Sequence, residues 1–280
     1  MSLGLILLLL GAAALHAGWN AVVKSASDQR TEVFLIAISA SLIAGLALPF
    51  VPLPAPVAWP YLAASVLFQF VYFQLLGLVY RHGELSYAYP LMRGTAPLIT
   101  ALVGLTAVGE QLSAGRWLGV LLLSAGVLVL GAERWRAWRL HWRVTAFGLL
   151  NAAAIASYTI VDGIGIRASG APWSYILWLF FVNGVPLLVQ ACIEGRHKFL
   201  QHAAIRWRPT LLCGVCMISS YSIALWAMTR APLGVVAALR ETSVLFATLF
   251  GAVFLKERFG PVRYVAVALV AAGAVAMKMG

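Results

Sequence analysis

Charge is scarce in this sequence, and acidic charge is the scarcest. Only 10% of the 280 residues are charged and nine are Asp or Glu, while 62% are hydrophobic. A soluble domain carries about 25% charged residues. So small a charged fraction excludes an ordinary water-soluble domain and predicts a protein that is surrounded by lipid.

Cysteines and catalytic motifs are also scarce. The three cysteines specify no disulfide framework, and Cys213 and Cys216, although spaced as CxxC, lie in an apolar run without a second pair. We interpret them as packing residues. The sequence contains no GxSxG, no HExxH and no Walker loop. We therefore expect no enzyme activity, no bound metal and no cofactor.

The sequence does contain ten apolar segments, each close to the length of about 20 residues that spans a bilayer. They cover residues 2–24, 33–51, 59–80, 85–108, 114–131, 144–166, 173–193, 208–229, 232–254 and 260–278. The connections are too short for a folded soluble domain, and the alternating pattern of barrel strands is absent. The predicted fold is an all-α integral membrane protein with ten transmembrane helices.

Basic residues lie mainly in the connections after the first, third, fifth, seventh and ninth segments. This distribution follows the positive-inside rule. The net charge of +11 and the pI of about 10.1 therefore reflect the topology of a protein in a lipid bilayer. We expect the bilayer to be its partner and expect no binding of nucleic acid. The rule places these connections in the cytoplasm and both termini on the opposite side of the membrane.

An internal repeat is visible when the sequence is shifted by 147 positions. Residues 93–126 then align without a gap on residues 240–273, and 11 of the 34 pairs are identical. The identical pairs include Arg93 with Arg240, Glu110 with Glu257, and Arg116 with Arg263. We predict one five-helix repeat over residues 1–131 and a second over residues 144–280. Five helices per repeat invert the second repeat in the membrane, as in many secondary transporters.

A basic, tryptophan-rich linker over residues 132–143 joins the two predicted repeats. Its Trp135, Trp138 and Trp142 fall on one helical face, and arginines surround the others. This pattern predicts an interfacial turn with its rings at the depth of the lipid head groups. A dedicated site for anionic lipid head groups is the alternative.

Several short motifs resemble the EamA-type transporters of the drug/metabolite transporter superfamily. They are Trp19-Asn20 followed by Lys24, the run from Leu85 to Pro90 leading to Arg93 and Pro97, Gly109-Glu110, Tyr158-Thr159 with Asp162, Leu233 to Thr242, and Lys256-Glu257-Arg258. The resemblance implies export or exchange of a small metabolite by alternating access, without ATP, in a bacterial inner membrane. It also implies that segments one to four and six to nine surround the cavity. Small residues in segments five and ten would allow close helix packing or a homodimer contact.

Arg93 and Arg240 are the leading candidates for binding the substrate. Each lies about a third of the way along an apolar segment, where a charge costs at least about 2.5 kcal/mol and therefore faces a cavity or a partner. In a cavity they would favour an anionic or zwitterionic substrate. The alternative is that each arginine satisfies a helix end or pairs with an acid such as Glu241 and only holds the bundle together. Glu241, next to Arg240, could be its counter-ion. Pro90 and Pro97 should free backbone carbonyls beside Arg93.

Aromatic and polar side chains complete the predicted site. The further substrate-binding candidates are Trp19, Asn20, Gln69, Tyr72, Tyr89, Tyr158 and Tyr221, and the proton-coupling candidates are His16 and Glu241. Each kind of residue has a structural alternative, because rings pack, amides join helices, and a lone histidine is often satisfied within a bundle. For Glu84, Glu110, Asp162 and Glu257 we expect anchoring roles.

Three functions are compatible with this sequence. The leading one is a secondary transporter of a small anionic or zwitterionic metabolite. The second is a translocator of a phospholipid or polyprenyl-phosphate head group, and the third is a non-transporting membrane scaffold. The first segment lacks the membrane glutamate with which small multidrug exporters of the superfamily exchange cations for protons. We therefore do not expect export of cationic drugs by that route.

Overall fold

A computed structural model describes residues 1–82, 85–131, 142–254 and 260–280. In these residues the regular structure is helical throughout, with no strand. The helices are α1 (Leu3–Lys24), α2 (Gln29–Ala47), α3 (Trp59–His82), α4 (Leu85–Ala107), α5 (Ala114–Val129), α6 (Trp142–Ala168), α7 (Pro172–Met228), α8 (Leu233–Arg240), α9 (Ser243–Phe254) and α10 (Pro261–Met279).

Seven spans within the described residues are long and apolar enough to cross a membrane, and Ala114–Val129 is a shorter apolar helix. The chain is therefore an all-helical, multi-pass membrane protein. The ten-span layout stays a prediction. Most of the linker, residues 132–141, lies outside the described residues, as do Glu84 and Glu257, and α6 already begins at Trp142.

Short polar side chains begin several helices. The Ser2 hydroxyl accepts from the Leu5 amide at 3.3 Å, and Asp28 accepts from the Thr31 amide at 3.1 Å. Such caps satisfy amides that have no partner inside the helix. Partial burial raises the pKa of Asp28, but the hydrogen bonds from Thr31 and the nearby Lys198 outweigh it, so that pKa lies below its usual value. The cap of α2 is consequently ionised at neutral pH.

Segments seven and eight were predicted as separate helices over residues 173–193 and 208–229, and a kink at Gly195 divides them instead of a loop. They form one helical element, α7, whose non-helical residue is Gly195 (φ 159°, ψ 71°). The predicted connection is helical because Phe199 and Ala203, one turn apart, pack in a cluster that contains Phe34 of α2. His202 and Arg206, at helical spacing with these two residues, also contact α2 through Glu32.

The ninth segment, predicted over residues 232–254, contains a candidate membrane span over Leu233–Phe250, but its helix is interrupted. It is divided into α8 and α9 at Glu241 and Thr242. The corresponding helix of the first half, α4, contains both Pro90 and Pro97 and is nevertheless unbroken. The two prolines indicated an irregular helix in the first half, at α4. The interruption lies instead in the second half, between α8 and α9, which contain no proline.

A buried ionic cluster joins the first turn of α2 to α7. The fully buried carboxylate of Glu32 receives two hydrogen bonds from Arg206, at 2.9 and 3.1 Å. The His202 ring lies 2.8 Å from the same carboxylate. An unpaired carboxylate at this place would be costly, so the cluster holds the helical connection of α7 against α2.

Small residues bring α5 and α10 into close contact. An added Cβ at Gly119 would lie 2.8 Å from the Gly273 carbonyl oxygen, and one at Gly126 would lie 2.9 Å from that of Ala266. The Ser113 hydroxyl also donates to the Gly280 carbonyl at 2.9 Å. Part of the predicted small-residue surface is thus used within the chain, whereas Ala125, Ala271 and Ala272 are exposed, and the homodimer stays a prediction.

Replacing Gly119 by alanine is expected to lower the free energy of unfolding by about 1–3 kcal/mol, because overpacking forces two backbones apart. The control is Gly18→Ala, since a Cβ there meets nothing within 4 Å. Thermal melting of both purified variants in detergent measures the difference. Equal melting temperatures would show that the α5–α10 contact tolerates a methyl group.

Candidate functional site

One cavity lies within the bundle and is lined by α1, α2, α3, α4, α6, α7 and α8. Its space, including the part open to solvent, is about 990 Å3. None of its described lining residues comes from α5 or α10, in agreement with the arrangement implied by the resemblance. All nine predicted substrate-binding residues line it, and so does His16: Trp19, Asn20, Gln69, Tyr72, Tyr89, Arg93, Tyr158, Tyr221 and Arg240.

Arg93 forms an ion pair rather than standing alone in its helix. Its Nε lies 3.0 Å from Oε2 of Glu241, and both side chains are buried. Glu241 follows Arg240 in the sequence but reaches across to α4, so the ion pair is the one that the structural alternative allowed for Arg93. The contact is imperfect, since Arg93 Nε, Arg93 Nη2 and Glu241 Oε2 all lack a hydrogen bond of good geometry.

Arg240 has a different environment. Its guanidinium lies over the ring of Tyr221, 4.7 Å from the ring centre, which is the geometry of a cation–π contact. The Tyr221 hydroxyl donates to Asp162 at 2.6 Å, and the Tyr175 hydroxyl donates to the same carboxylate at 3.1 Å. Asp162 thus anchors the ring that supports Arg240, in keeping with the predicted anchoring role.

Aromatic rings form much of the cavity wall. Tyr158 packs edge-on against Tyr72 at 6.0 Å and against Tyr221 at 6.2 Å. His16 packs edge-on against Trp19 at 5.1 Å, and the indole Nε1 of Trp19 is buried without a hydrogen-bond partner. The wall can therefore hold an apolar or planar group, with one indole donor left to bind it.

The two amide candidates line the cavity, and one N–H donor of each is used within its own helix. Asn20 Nδ2 donates to the His16 carbonyl at 2.8 Å, and Gln69 Nε2 donates to the Ser65 hydroxyl at 3.0 Å. Each amide keeps its second N–H and its oxygen atom for a substrate. The bonds within the helices agree with the structural alternative for both amides, namely that they support their helices.

Ten further described residues line the cavity that were not among the predicted substrate-binding or proton-coupling residues. They are Val23, Val33, Ala37, Phe73, Leu76, Phe180, Asn183, Leu187, Met217 and Ser220. Most are apolar, and an apolar residue carries no signal in so apolar a chain. Ser220 donates to the Ala12 carbonyl at 2.7 Å, and this contact joins α7 to α1 at the cavity wall.

A second polar network lies where α4, α6 and α7 end. Arg167 Nη2 lies 2.7 Å from Glu110 Oε1, and Arg167 also donates to the carbonyls of Met228 at 2.7 Å and Ala231 at 3.0 Å. Glu110 Oε2 accepts from the Leu233 amide at 2.7 Å. We call these residues the end seal. It joins the α4–α5 connection to the last turn of α6 and the turn before α8, and Glu110 has the predicted anchoring role.

Comparisons with known proteins agree on the kind of protein. The profile of the EamA-like transporter family matches residues 142–279. Multidrug resistance protein EbrA of Bacillus atrophaeus is 33% identical over 72 residues, which are 26% of this chain and 69% of that protein. A protein of known crystal structure has the same fold, with a TM-score of 0.72 and 20% identity over 99% of this chain and 97% of that one.

The family match covers the second half of the chain, which contains the second predicted repeat, Arg240 and the helix interrupted at Glu241. The relative supports the match independently, because the chain covers more than two thirds of its length at 33% identity. The chain therefore belongs to the EamA-like transporter family of membrane proteins.

Proposed function

We propose that this protein is a secondary transporter that moves a small anionic or zwitterionic metabolite across a bacterial inner membrane by alternating access. The observation that carries the proposal is the position of Arg93 and Arg240. Equivalent in the repeat, they line one aromatic cavity from α4 and α8. A membrane scaffold has no use for two arginines in such a cavity, since charges at this depth are costly.

The cavity presents positive charge to its contents. Arg93 and Arg240 are lining residues, whereas the acids associated with them, Glu241 and Asp162, are buried behind the wall. Guanidinium groups bind carboxylates and phosphates through paired donors. We infer that the substrate has an anionic group and an apolar or planar part. His16 and Glu241 remain the candidates for carrying a proton.

The packing of the helices supports two inverted repeats. α5 packs against α10, as two equivalent helices would at a symmetry axis. α3 and α4 pack against α6, and correspondingly α1 packs against α7 and against α8 and α9. When each helix is replaced by its equivalent in the other half, every one of these contacts corresponds to another contact in the set. A two-fold repeat has this property.

The two ends of the bundle support alternating access. The lining residues of α1 and, except for Gln69 near its middle, of α3 lie in the C-terminal halves of those helices, and those of α2 and α4 in the N-terminal halves. The cavity therefore extends toward the connections after α1 and α3. The end seal of Glu110 and Arg167 lies at the opposite end, so we propose that it closes the path on that side.

Transport by purified protein in proteoliposomes tests this function, with amino acids, organic phosphates, phosphonates and a labelled phospholipid as separate arms. We expect uptake in at least one water-soluble arm, and Arg240→Gln should lower its affinity at least about 30-fold, because a buried charged contact is worth 2 kcal/mol or more. Arg116→Gln, at the start of α5 and outside the cavity, is the control. Movement of the phospholipid alone would favour the head-group translocator.

A further inference from the structure

The two cavity arginines are not neutralised alike. Arg93 has the Glu241 carboxylate 3.0 Å away, whereas Arg240 rests on the face of Tyr221. The repeat supplies no second acid, since the position that aligns with Glu241 is Gly94. A side chain is excluded there, because a Cβ at Gly94 would lie 2.7 Å from Cγ of Leu128 and 3.1 Å from the Ser124 carbonyl oxygen. The two arginines, although equivalent in the repeat, therefore differ in that only Arg93 has an acid of this position as its partner.

The Glu241 carboxylate is held in a way that leaves it exchangeable. It touches Arg93 through Nε at one edge of the guanidinium, and Nη2 of Arg93 has no hydrogen-bond partner. Glu241 also stands at the interruption between α8 and α9, where i→i+3 backbone bonds, such as that from the Val244 amide to the Glu241 carbonyl at 3.0 Å, replace the regular helical pattern. Half-helix ends beside a cavity are where transporters place substrate-binding groups.

We infer that Glu241 competes with an anionic group of the substrate for the guanidinium of Arg93. The site therefore selects substrates with one anionic group over those with two. The inference rests on the proposed function and specifies its substrate class. In this arrangement Arg240 binds the anionic group of the substrate, and the glutamate already occupies Arg93. A monoanion or a zwitterion needs no further cation.

A dianion meets an obstacle in the same site. Its second anionic group has Arg93 as the remaining cavity-lining arginine, and there it must displace Glu241. The displaced carboxylate would lose its counter-ion while only 4% exposed, beside a newly added negative charge. Leaving one member of a buried ion pair unpaired is strongly unfavourable. Glu241 thus disfavours dianions by repulsion as well as by occupying the cation.

Two rigid aromatic probes of nearly the same shape test this selection: terephthalate, a dianion, and 4-carbamoylbenzoate, in which an amide replaces one carboxylate. Their affinities are measured calorimetrically with the full-length protein in detergent. We expect the original protein to prefer 4-carbamoylbenzoate. Glu241→Gln frees Arg93 and should shift the affinity ratio toward terephthalate by at least about tenfold, since close charge pairs are coupled by 1.5 kcal/mol or more.

Two further variants make the result specific. Glu194→Gln removes an acid that pairs with Arg30 at 2.7 Å outside the cavity, and it should leave the ratio unchanged although the net charge changes equally. The double variant Arg93→Gln/Glu241→Gln keeps Arg240 alone and should restore the preference for the monoanion. It also controls for a folding defect of the single variant.

The possible results separate the two proposals. Binding of both probes with the same ratio in the original protein and in Glu241→Gln overturns the selection by Glu241 and leaves the anion site standing. Binding of neither probe to either protein contradicts the anion-binding cavity itself, and the inference falls with it.

Discussion

Replacing Arg206 by alanine is expected to lower the free energy of unfolding by about 3 kcal/mol, because Glu32 would remain fully buried without its bidentate partner. Removing one member of a buried pair costs about 3–5 kcal/mol. The lower value applies because Arg206 is 31% exposed and His202 still contacts the carboxylate. Thermal melting in detergent measures the loss.

Two companion variants locate the cause of that loss. Arg208→Ala, two residues further along α7, removes a guanidinium that lies over the exposed ring of Trp207 and should change the melting temperature little. Glu32→Gln combined with Arg206→Ala removes the buried charge as well and should recover part of the stability. A double variant as unstable as Arg206→Ala would mean that packing, rather than charge, holds α7 against α2.

The composition of the sequence accounts for most of what could be predicted of the site. Arginine, tyrosine and tryptophan are conspicuous in apolar segments, and a charge at membrane depth needs a cavity or a partner. That reasoning identified Arg93, Arg240 and Tyr158, all of which line the cavity. It could not identify Phe180 or Leu187, because an apolar residue in such a chain fits lipid, core and cavity equally well.

The sequence left open which arginine pairs with Glu241, and geometry decides it. Glu241 follows Arg240 directly in the sequence, and this proximity indicated that they neutralise each other. Neighbouring residues near a helix end do not face each other, whereas a residue on another helix can. Glu241 accordingly reaches Arg93. A sequence without aligned relatives shows which charges exist but not which helices bring them together.

The helix boundaries show a similar limit. Charged residues around Gly195 indicated a loop, but Phe199 packs against α2 and Arg206 binds Glu32, so tertiary contacts keep the stretch helical. Conversely, the interruption at Glu241 and Thr242 contains neither proline nor glycine. Such local departures depend on contacts between distant segments, and local propensity does not encode them.

Replacing Arg167 by alanine is expected to open the end of the bundle that the end seal closes. Arg167 makes an ion pair with Glu110 at 2.7 Å and donates to two carbonyls, of Met228 and Ala231. Hydrogen bonds of a charged donor contribute about 1.5–3 kcal/mol each. Losing them should raise the population open at this end at least about tenfold.

Cysteine alkylation measures this opening. In a background with the three native cysteines replaced by alanine, one reporter replaces Ala231, which is 8% exposed at the end seal. A second reporter replaces Asn20 in the cavity wall, on the side toward which the cavity extends. Arg230→Ala is the control, because it removes a cation next to the seal that instead lies over the ring of Trp226 at 4.5 Å.

Alternating access predicts opposite changes at the two reporters. With Arg167→Ala, alkylation at position 231 should become at least about tenfold faster, while alkylation at position 20 should slow, because a transporter that opens at one end closes at the other. A faster reaction at both positions would indicate a loosened bundle rather than a shift between two states. An unchanged rate at position 231 would show that Glu110 and Arg167 do not hold that end closed. Only faster alkylation at position 231 together with slower alkylation at position 20 shows that the end seal and the cavity take part in one conformational equilibrium.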